Sequence, residues 1–244
     1  MSNKTEADRP EKAGRVGIIG AMDVEVALLK SALKDPSTLT VANMDFVSGK
    51  LGSTDVVVVK CGVGKVDAGI CVQVLVDRLG VTRVINTGVA GSLDASLDVG
   101  DLVVSRDLCY HDVDATIFGY KPGEVPGLKR RFFEADQTLV EAALAAAHEV
   151  APEVNAVEGR VVSGDQFIST DDDKRRLAAQ FGGMCCEMEG AAVAQAAWLN
   201  NVPFVVVRAI SDKVGSTTPV EYAVFEEKAA HHCAAIVQRM VESL

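Results

Sequence analysis

The acidic side chains that could do chemistry in this sequence stand directly after apolar runs and among glycines. Val16-Gly-Ile-Ile19 leads into Gly20-Ala-Met-Asp-Val-Glu25, Val161-Val-Ser163 into Gly164-Asp-Gln-Phe-Ile168, and Phe204-Val-Val-Val-Arg-Ala-Ile210 into Ser211-Asp212. Glu187-Met-Glu189 precedes an alanine-rich stretch in the same way. Two further runs end in Cys61-Gly-Val-Gly-Lys65 and Thr87-Gly-Val-Ala-Gly-Ser92. Isolated carboxylates of this kind can move protons or grip hydroxyl groups, and glycines let the backbone approach a ligand. In open α/β sheets, ligands gather beyond the carboxyl ends of the strands. The pattern therefore points to a small-molecule pocket walled by backbone and floored by a few acids.

Taken singly, each signal has a plainer reading. Gly62-x-Gly64 and Gly88-x-x-Gly91 lack the full GxGxxG spacing, and read as tight strand-to-helix turns before phosphate-binding ones. Asp212 fits the N-cap of a following segment as well as a catalytic acid. Glu25 reads as an ordinary solvated acid, and Glu187 and Glu189 suit a helix N-terminus. His111 reads as a surface or interface residue. His231 and His232 occupy adjacent helix positions that face different ways, which disfavours a metal site. Cys61, Cys71, Cys109, Cys185, Cys186 and Cys233 show neither a CxxC pair nor zinc spacing, and read as reduced, mostly buried thiols.

The elements that must position these residues follow from periodicity. Residues 16–19, 54–59, 83–86, 101–105, 160–163 and 204–210 are short apolar runs rich in β-branched residues and read as strands. Helical spacing fills 24–33, 66–79, 138–148, 171–181, 189–199 and about 222–241. Strands apolar throughout, alternating with amphipathic helices, predict an α/β layer fold with a largely buried sheet. No repeat or linker interrupts the pattern, so residues 15–244 read as one domain behind a disordered tail, 1–14. The stretch 109–133 carries little regular signal and reads as a substrate or subunit loop.

Composition narrows the partners. With 48% hydrophobic residues in 244, one sizeable core forms without a disulfide or metal staple. The 34 acidic and 24 basic side chains give a net charge of −10, with no basic run, which opposes nucleic acid and anionic membranes. The first ten residues are polar and lack the apolar core of a signal peptide. No apolar stretch approaches the roughly 18–20 residues of a membrane span. These features predict a soluble, cytoplasmic protein.

Five segments stand in order along the chain: Gly17-Ile-Ile-Gly-Ala-Met-Asp-Val-Glu25, Ile85-Asn-Thr-Gly-Val-Ala-Gly91, Val162-Ser-Gly-Asp-Gln-Phe-Ile168, Glu187-Met-Glu189 and Val207-Arg-Ala-Ile-Ser-Asp212. Together they resemble the bacterial 5′-methylthioadenosine/S-adenosylhomocysteine nucleosidases, from about Val16 to the C-terminus. The resemblance implies a single-domain, three-layer nucleoside phosphorylase-like fold with a mixed central sheet flanked by helices. It further implies a homodimer, no cofactor and no metal. The implied activity is hydrolysis of the N-glycosidic bond, releasing adenine in methionine salvage and S-adenosylhomocysteine removal.

The resemblance also implies roles. Asp212, protonated, gives its proton to adenine N7, a state that desolvation at a strand end would favour. Ser211 helps hold that carboxylate, and Glu25 positions and deprotonates the attacking water. Glu189 and Met188 grip the ribose hydroxyls, and Arg208 lies on the water and ribose side. Phe167 and the Ile168 backbone form the adenine wall. Met22, Val63 and Tyr222 line the ribose and alkylthio pocket, and Phe118 reaches in from the partner subunit. One position departs from the family: Val89 stands where a serine is common, leaving the water to Glu25, Arg208 and backbone groups. Tyr222 stands where phenylalanine is frequent.

Other readings compete. A nucleoside phosphorylase of the same fold uses phosphate, which Asp23 and Glu25 would repel. An aminofutalosine or futalosine nucleosidase, and a non-catalytic nucleoside-binding protein of the same fold, stay as alternatives. A Rossmann-type nucleotide binder lacks its glycine fingerprint and ranks last.

Overall fold

The computed structural model describes residues 14–214 and 219–244, with side chains described outside 219–228; the expected tail, Gly14 apart, lies outside these residues. Its first half runs β1 (Arg15–Gly20), α1 (Asp23–Ser31), β2 (Lys34–Val41), β3 (Met44–Leu51), β4 (Thr54–Lys60), α2 (Lys65–Leu79) and β5 (Val81–Ser92). The second half runs β6 (Leu102–Tyr110), β7 (Phe133–Glu134), α3 (Gln137–Val150), β8 (Ala156–Ser163), α4 (Asp171–Phe181), β9 (Cys185–Glu187), α5 (Gly190–Leu199), β10 (Phe204–Asp212) and α6 (Pro219–Glu242).

The apolar strands supply both faces of one sheet, because successive side chains on a strand point to opposite sides. Val16, Ile18, Val56, Val58, Val205 and Val207 enter a core with α1, α3 and α6. Their neighbours Ile19, Val57, Val59 and Val206 enter a second core with α2 and α5. A third, smaller cluster joins Leu177 and Phe181 of α4 to Cys109, Val162 and Cys186. The sheet, with helices packed on both faces, gives the three layers, and β1, β4 and residues 204–207 of β10 face both larger cores as apolar runs.

The sheet is mixed. β1 lies between β4 and β5, parallel to both, and β3 and β2 extend that edge antiparallel. At the other end the sheet closes on itself. β10 pairs in parallel with β5 and antiparallel with β6, β6 pairs with β8, β8 with β9, and β9 returns antiparallel to β5.

Three differences from the periodicity reading have local causes. The β2–β3 hairpin has no apolar alternation on its outer strand, which is an exposed edge carrying Lys34, Asp35 and Pro36. Its turn residues Ala42 and Asn43 both take positive φ, as a two-residue hairpin requires. Gly88-x-x-Gly91 is not a turn but strand backbone inside β5, which runs on to Ser92. The irregular stretch after residue 109 contains the end of β6, a 3-10 turn at Thr116–Phe118 and β7.

Candidate active site

The ends of β1, β5, β9 and β10 meet at a cleft with a cavity volume of about 200 Å³. Met22, Glu25, Val63, Val89, Phe167, Ile168, Met188, Glu189, Ser211 and Asp212 all line it. Three further expected residues have other places. Arg208 lies buried behind the wall, Phe118 sits on an exposed tip, and the Tyr222 side chain lies outside the described residues.

At one end of the cleft, Glu25 is 3% exposed, so its reading as a solvated acid is overturned. It occupies the third position of α1 and folds back over the helix start. Oε2 accepts the N–H groups of Ala21 at 2.7 Å and Met22 at 3.0 Å, and Oε1 accepts that of Val89 at 3.1 Å. Burial raises its pKa, while Arg208 and these backbone donors oppose the rise. Asp23, two residues earlier, instead points outward and pairs with Lys60.

Arg208 lies beside Glu25, at the end of the cleft expected for the water and ribose, but behind the lining. It sits mid-strand in β10, in register with Gly88, and donates from Nη2 to Asn86 Oδ1 and Glu187 Oε2, each at 2.5 Å. A Cβ at Gly88 would fall on the Glu25 carboxylate and lie 2.9 Å from Arg208 Nη1. Glu187 is committed to structure: it takes Arg208, the Ser163 hydroxyl, and the N–H groups of Glu189 and Gly190 at the start of α5. Glu189 accepts the Gly64 N–H at 2.8 Å. Burial, then repulsion from Glu187, raises its pKa to about 7 against the pull of Arg208.

At the other end, Asp212 is the last residue of β10, not an N-cap, and its carboxylate lies against Gly91 of β5. The Ser211 hydroxyl lies 3.1 Å from Oδ1 and 3.2 Å from the Ala90 carbonyl. Asp212 also has an ion-pair partner: Lys174 of α4 donates to Oδ2 from a buried position. Lys174 was missed in the polar string Asp171-Asp-Asp-Lys-Arg-Arg176, yet its spacing from Leu177 and Phe181 marks the buried stripe of that helix. Asn86, which orients Arg208, stands inside the second of the five resembling segments but was given no role.

The adenine-wall candidates Phe167 and Ile168 sit on the loop from β8 to α4. Lys65 at the start of α2 ties this loop down through Asp112 and Asp165. His111 is half-buried beneath Gly164, where a Cβ would strike its ring. All six cysteines are free and buried, and burial pushes the Cys186 thiol, which lines the cleft, up to about 12. No group of three or more metal-ligating side chains occurs among the described residues.

The family model of the phosphorylase superfamily matches residues 15–242. A 5′-methylthioadenosine/S-adenosylhomocysteine nucleosidase of Shewanella frigidimarina is 42% identical over 231 residues, 94% of this chain and 100% of that one. The chain belongs to this nucleosidase family of the phosphorylase superfamily. The crystal structure of such a nucleosidase from Colwellia psychrerythraea in complex with adenine superposes with a TM-score of 0.90, at 41% identity, covering 96% of each chain. A futalosine hydrolase of Helicobacter pylori matches with a TM-score of 0.89, at 31% identity, covering 95% of this chain and 99% of its own.

Within this superfamily, a phosphate co-substrate needs cationic side chains at its site. The described lining of the nucleosidase cleft contains Glu25, Glu187, Glu189 and Asp212 and no Lys, Arg or His. A desolvated anion beside these carboxylates is repelled by several kcal/mol by order of magnitude. A neutral water molecule is not.

Proposed function

We propose that this chain hydrolyses the N-glycosidic bond of 5′-methylthioadenosine and S-adenosylhomocysteine, releasing adenine and the thioribose. The observation that carries the reading is a cleft lined by four carboxylates with no cationic side chain in its described wall. Bond breaking leaves an oxocarbenium-like sugar, and preorganised negative charge beside a developing cation lowers the barrier. Asp212 protonates adenine N7, so the base leaves neutral. Glu25, held by three backbone donors, takes the proton of the water that adds to C1′. Glu189 and Met188 grip the ribose hydroxyls, Arg208 holds Glu187 and steadies Glu25 by its charge, and Phe167 stacks on adenine beside the Ile168 backbone. Met22, Val63, Val89 and Tyr222 enclose the sugar and its alkylthio group.

The proposed assembly is a cytoplasmic homodimer, its single catalytic domain spanning residues 15–244, that serves methionine salvage. Val66 and Ile70 of α2, with Val63 before it, form an exposed apolar stripe, and Ile117 and Phe118 are 88% and 80% exposed. A second copy that covers them would also bring Phe118 of the partner subunit to the cleft mouth. No helix among the described residues is long and apolar enough to cross a membrane.

Adenine release from 5′-methylthioadenosine in phosphate-free buffer, repeated with phosphate, tests the reading. Prompt release without phosphate, yielding free methylthioribose, is expected. Release only with phosphate would make the chain a phosphorylase and remove the role of Glu25. The likeness to futalosine hydrolase favours one second reading, and cleavage of aminofutalosine but not methylthioadenosine would select it.

A further inference from the structure

Lys174 is a buried titratable group that the reaction above leaves unused. It is 3% exposed, and its ammonium meets Oδ2 of Asp212 while the Ser211 hydroxyl approaches Oδ1. The ammonium is thus a donor to Oδ2, while the one Ser211 hydroxyl proton serves either Oδ1 or the Ala90 carbonyl. The buried ion pair places the nearest mobile proton on the lysine nitrogen. The reaction needs a proton ready at N7.

We propose that the acid is the Lys174–Asp212 couple, in which Lys174 holds the proton that Asp212 delivers to the leaving adenine. The inference rests on the nucleosidase reading above. One ammonium proton passes to Asp212, and Asp212 passes a proton to N7 as the C1′–N9 bond breaks with its electron pair on the base. Adenine leaves neutral, Asp212 is again a carboxylate, and Lys174 is a neutral amine. Water adds to C1′ and gives its proton to Glu25; solvent then reprotonates Lys174 and takes the Glu25 proton.

Lys174 touches no substrate and acts through Asp212, as a positioning residue that also stores charge. Among the described residues, other groups also face the couple. Cys186 comes from β9, its thiol pushed up to about 12 by burial, and Ser211 from β10. The Lys213 carbonyl lies 3.5 Å from Lys174 Nζ, while its own ammonium pairs with Asp98. On α4 itself, Asp173 is held by Thr170 and Arg176, and Asp171 lies one turn before Lys174.

The test follows kcat/KM against pH for wild type, Lys174→Gln and Lys174→Arg. Two substrates are used: methylthioadenosine, and a p-nitrophenyl methylthioriboside whose leaving group needs no proton. With methylthioadenosine near pH 8, Lys174→Gln is expected to lose about 10²-fold or more. It should recover part of that as the pH falls and solvent supplies the proton, and stay within a few-fold of wild type on the p-nitrophenyl substrate. Arginine keeps the charge but does not release its proton, so Lys174→Arg should follow Lys174→Gln and carries the same readout if the glutamine variant does not fold. A loss uniform across pH, an equal loss on both substrates, or full activity in Lys174→Arg would overturn the couple. A wild type that releases no adenine from methylthioadenosine would overturn the nucleosidase reading itself, and the couple with it.

Discussion

At the sugar end of the cleft, three backbone N–H groups hold Glu25, whereas at the base end two side chains, Lys174 and Ser211, hold Asp212. Main-chain donors belong to the turn before α1 and to β5, and persist whatever side chains surround them. Side-chain partners are removed one substitution at a time. The charge balance differs in the same sense. Arg208 is buried among Glu25, Glu187 and Glu189, which together raise its pKa, while Asp212 faces one lysine. The water-activating carboxylate is therefore built into the fold, and the acid is a local assembly on top of it.

The largest expected effect breaks both ends alike. Glu25→Gln and Asp212→Asn should each lower kcat by about 10³-fold or more while nucleoside binding survives, read by single-turnover adenine release and by calorimetry. Wild-type turnover in either variant removes that assignment.

The glycines opposite the two carboxylates separate the ends. Gly88→Ala sets a methyl group on the Glu25 carboxylate and 2.9 Å from Arg208, in a region with no slack. It should cost about 1–3 kcal/mol of stability in urea titration and most of the activity. Gly91→Ala places its methyl 3.0 Å from Asp212 Oδ1, where a side-chain assembly can yield, so a smaller loss is expected.

Crowding of carboxylates at the sugar end gives a pH signature. Glu189 has its pKa raised from 4.5 to about 7 in the folded protein, so the fold binds the proton more tightly than the unfolded chain does. Its contribution therefore removes stability as pH rises from 4.5 to about 7 and is constant above. Melting curves of Glu189→Gln and wild type should diverge in favour of the variant over that window. A constant difference would show that the crowding is relieved by solvent. The smallest effect is the control: Asp23→Asn, on the same helix turn as Glu25 but outward-facing, should change neither kcat nor Tm.

Much of this was legible in the sequence because it depends on neighbours along the chain. The β-branched runs became β1, β4, β8 and β10, and the acids after them do line the cleft. Edge strand β2 was not legible, since it buries nothing and carries no apolar alternation. Glu25 was misread as solvated because its partners are backbone groups, which have no residue type to recognise. Lys174 was hidden by charged neighbours, although its spacing from Leu177 and Phe181 was there to be read.

The sequence by itself determined the layers, the helices, the six apolar strands and the carboxylates at their ends, all properties of local periodicity. The tertiary structure alone decided which groups meet. It set Gly88 beside Arg208 and Gly91 beside Asp212 through the parallel register of β5 and β10. It brought Lys174 to Asp212 across 38 positions of chain. Charge state follows burial and the nearest opposite charge, and both are set by residues far apart in sequence.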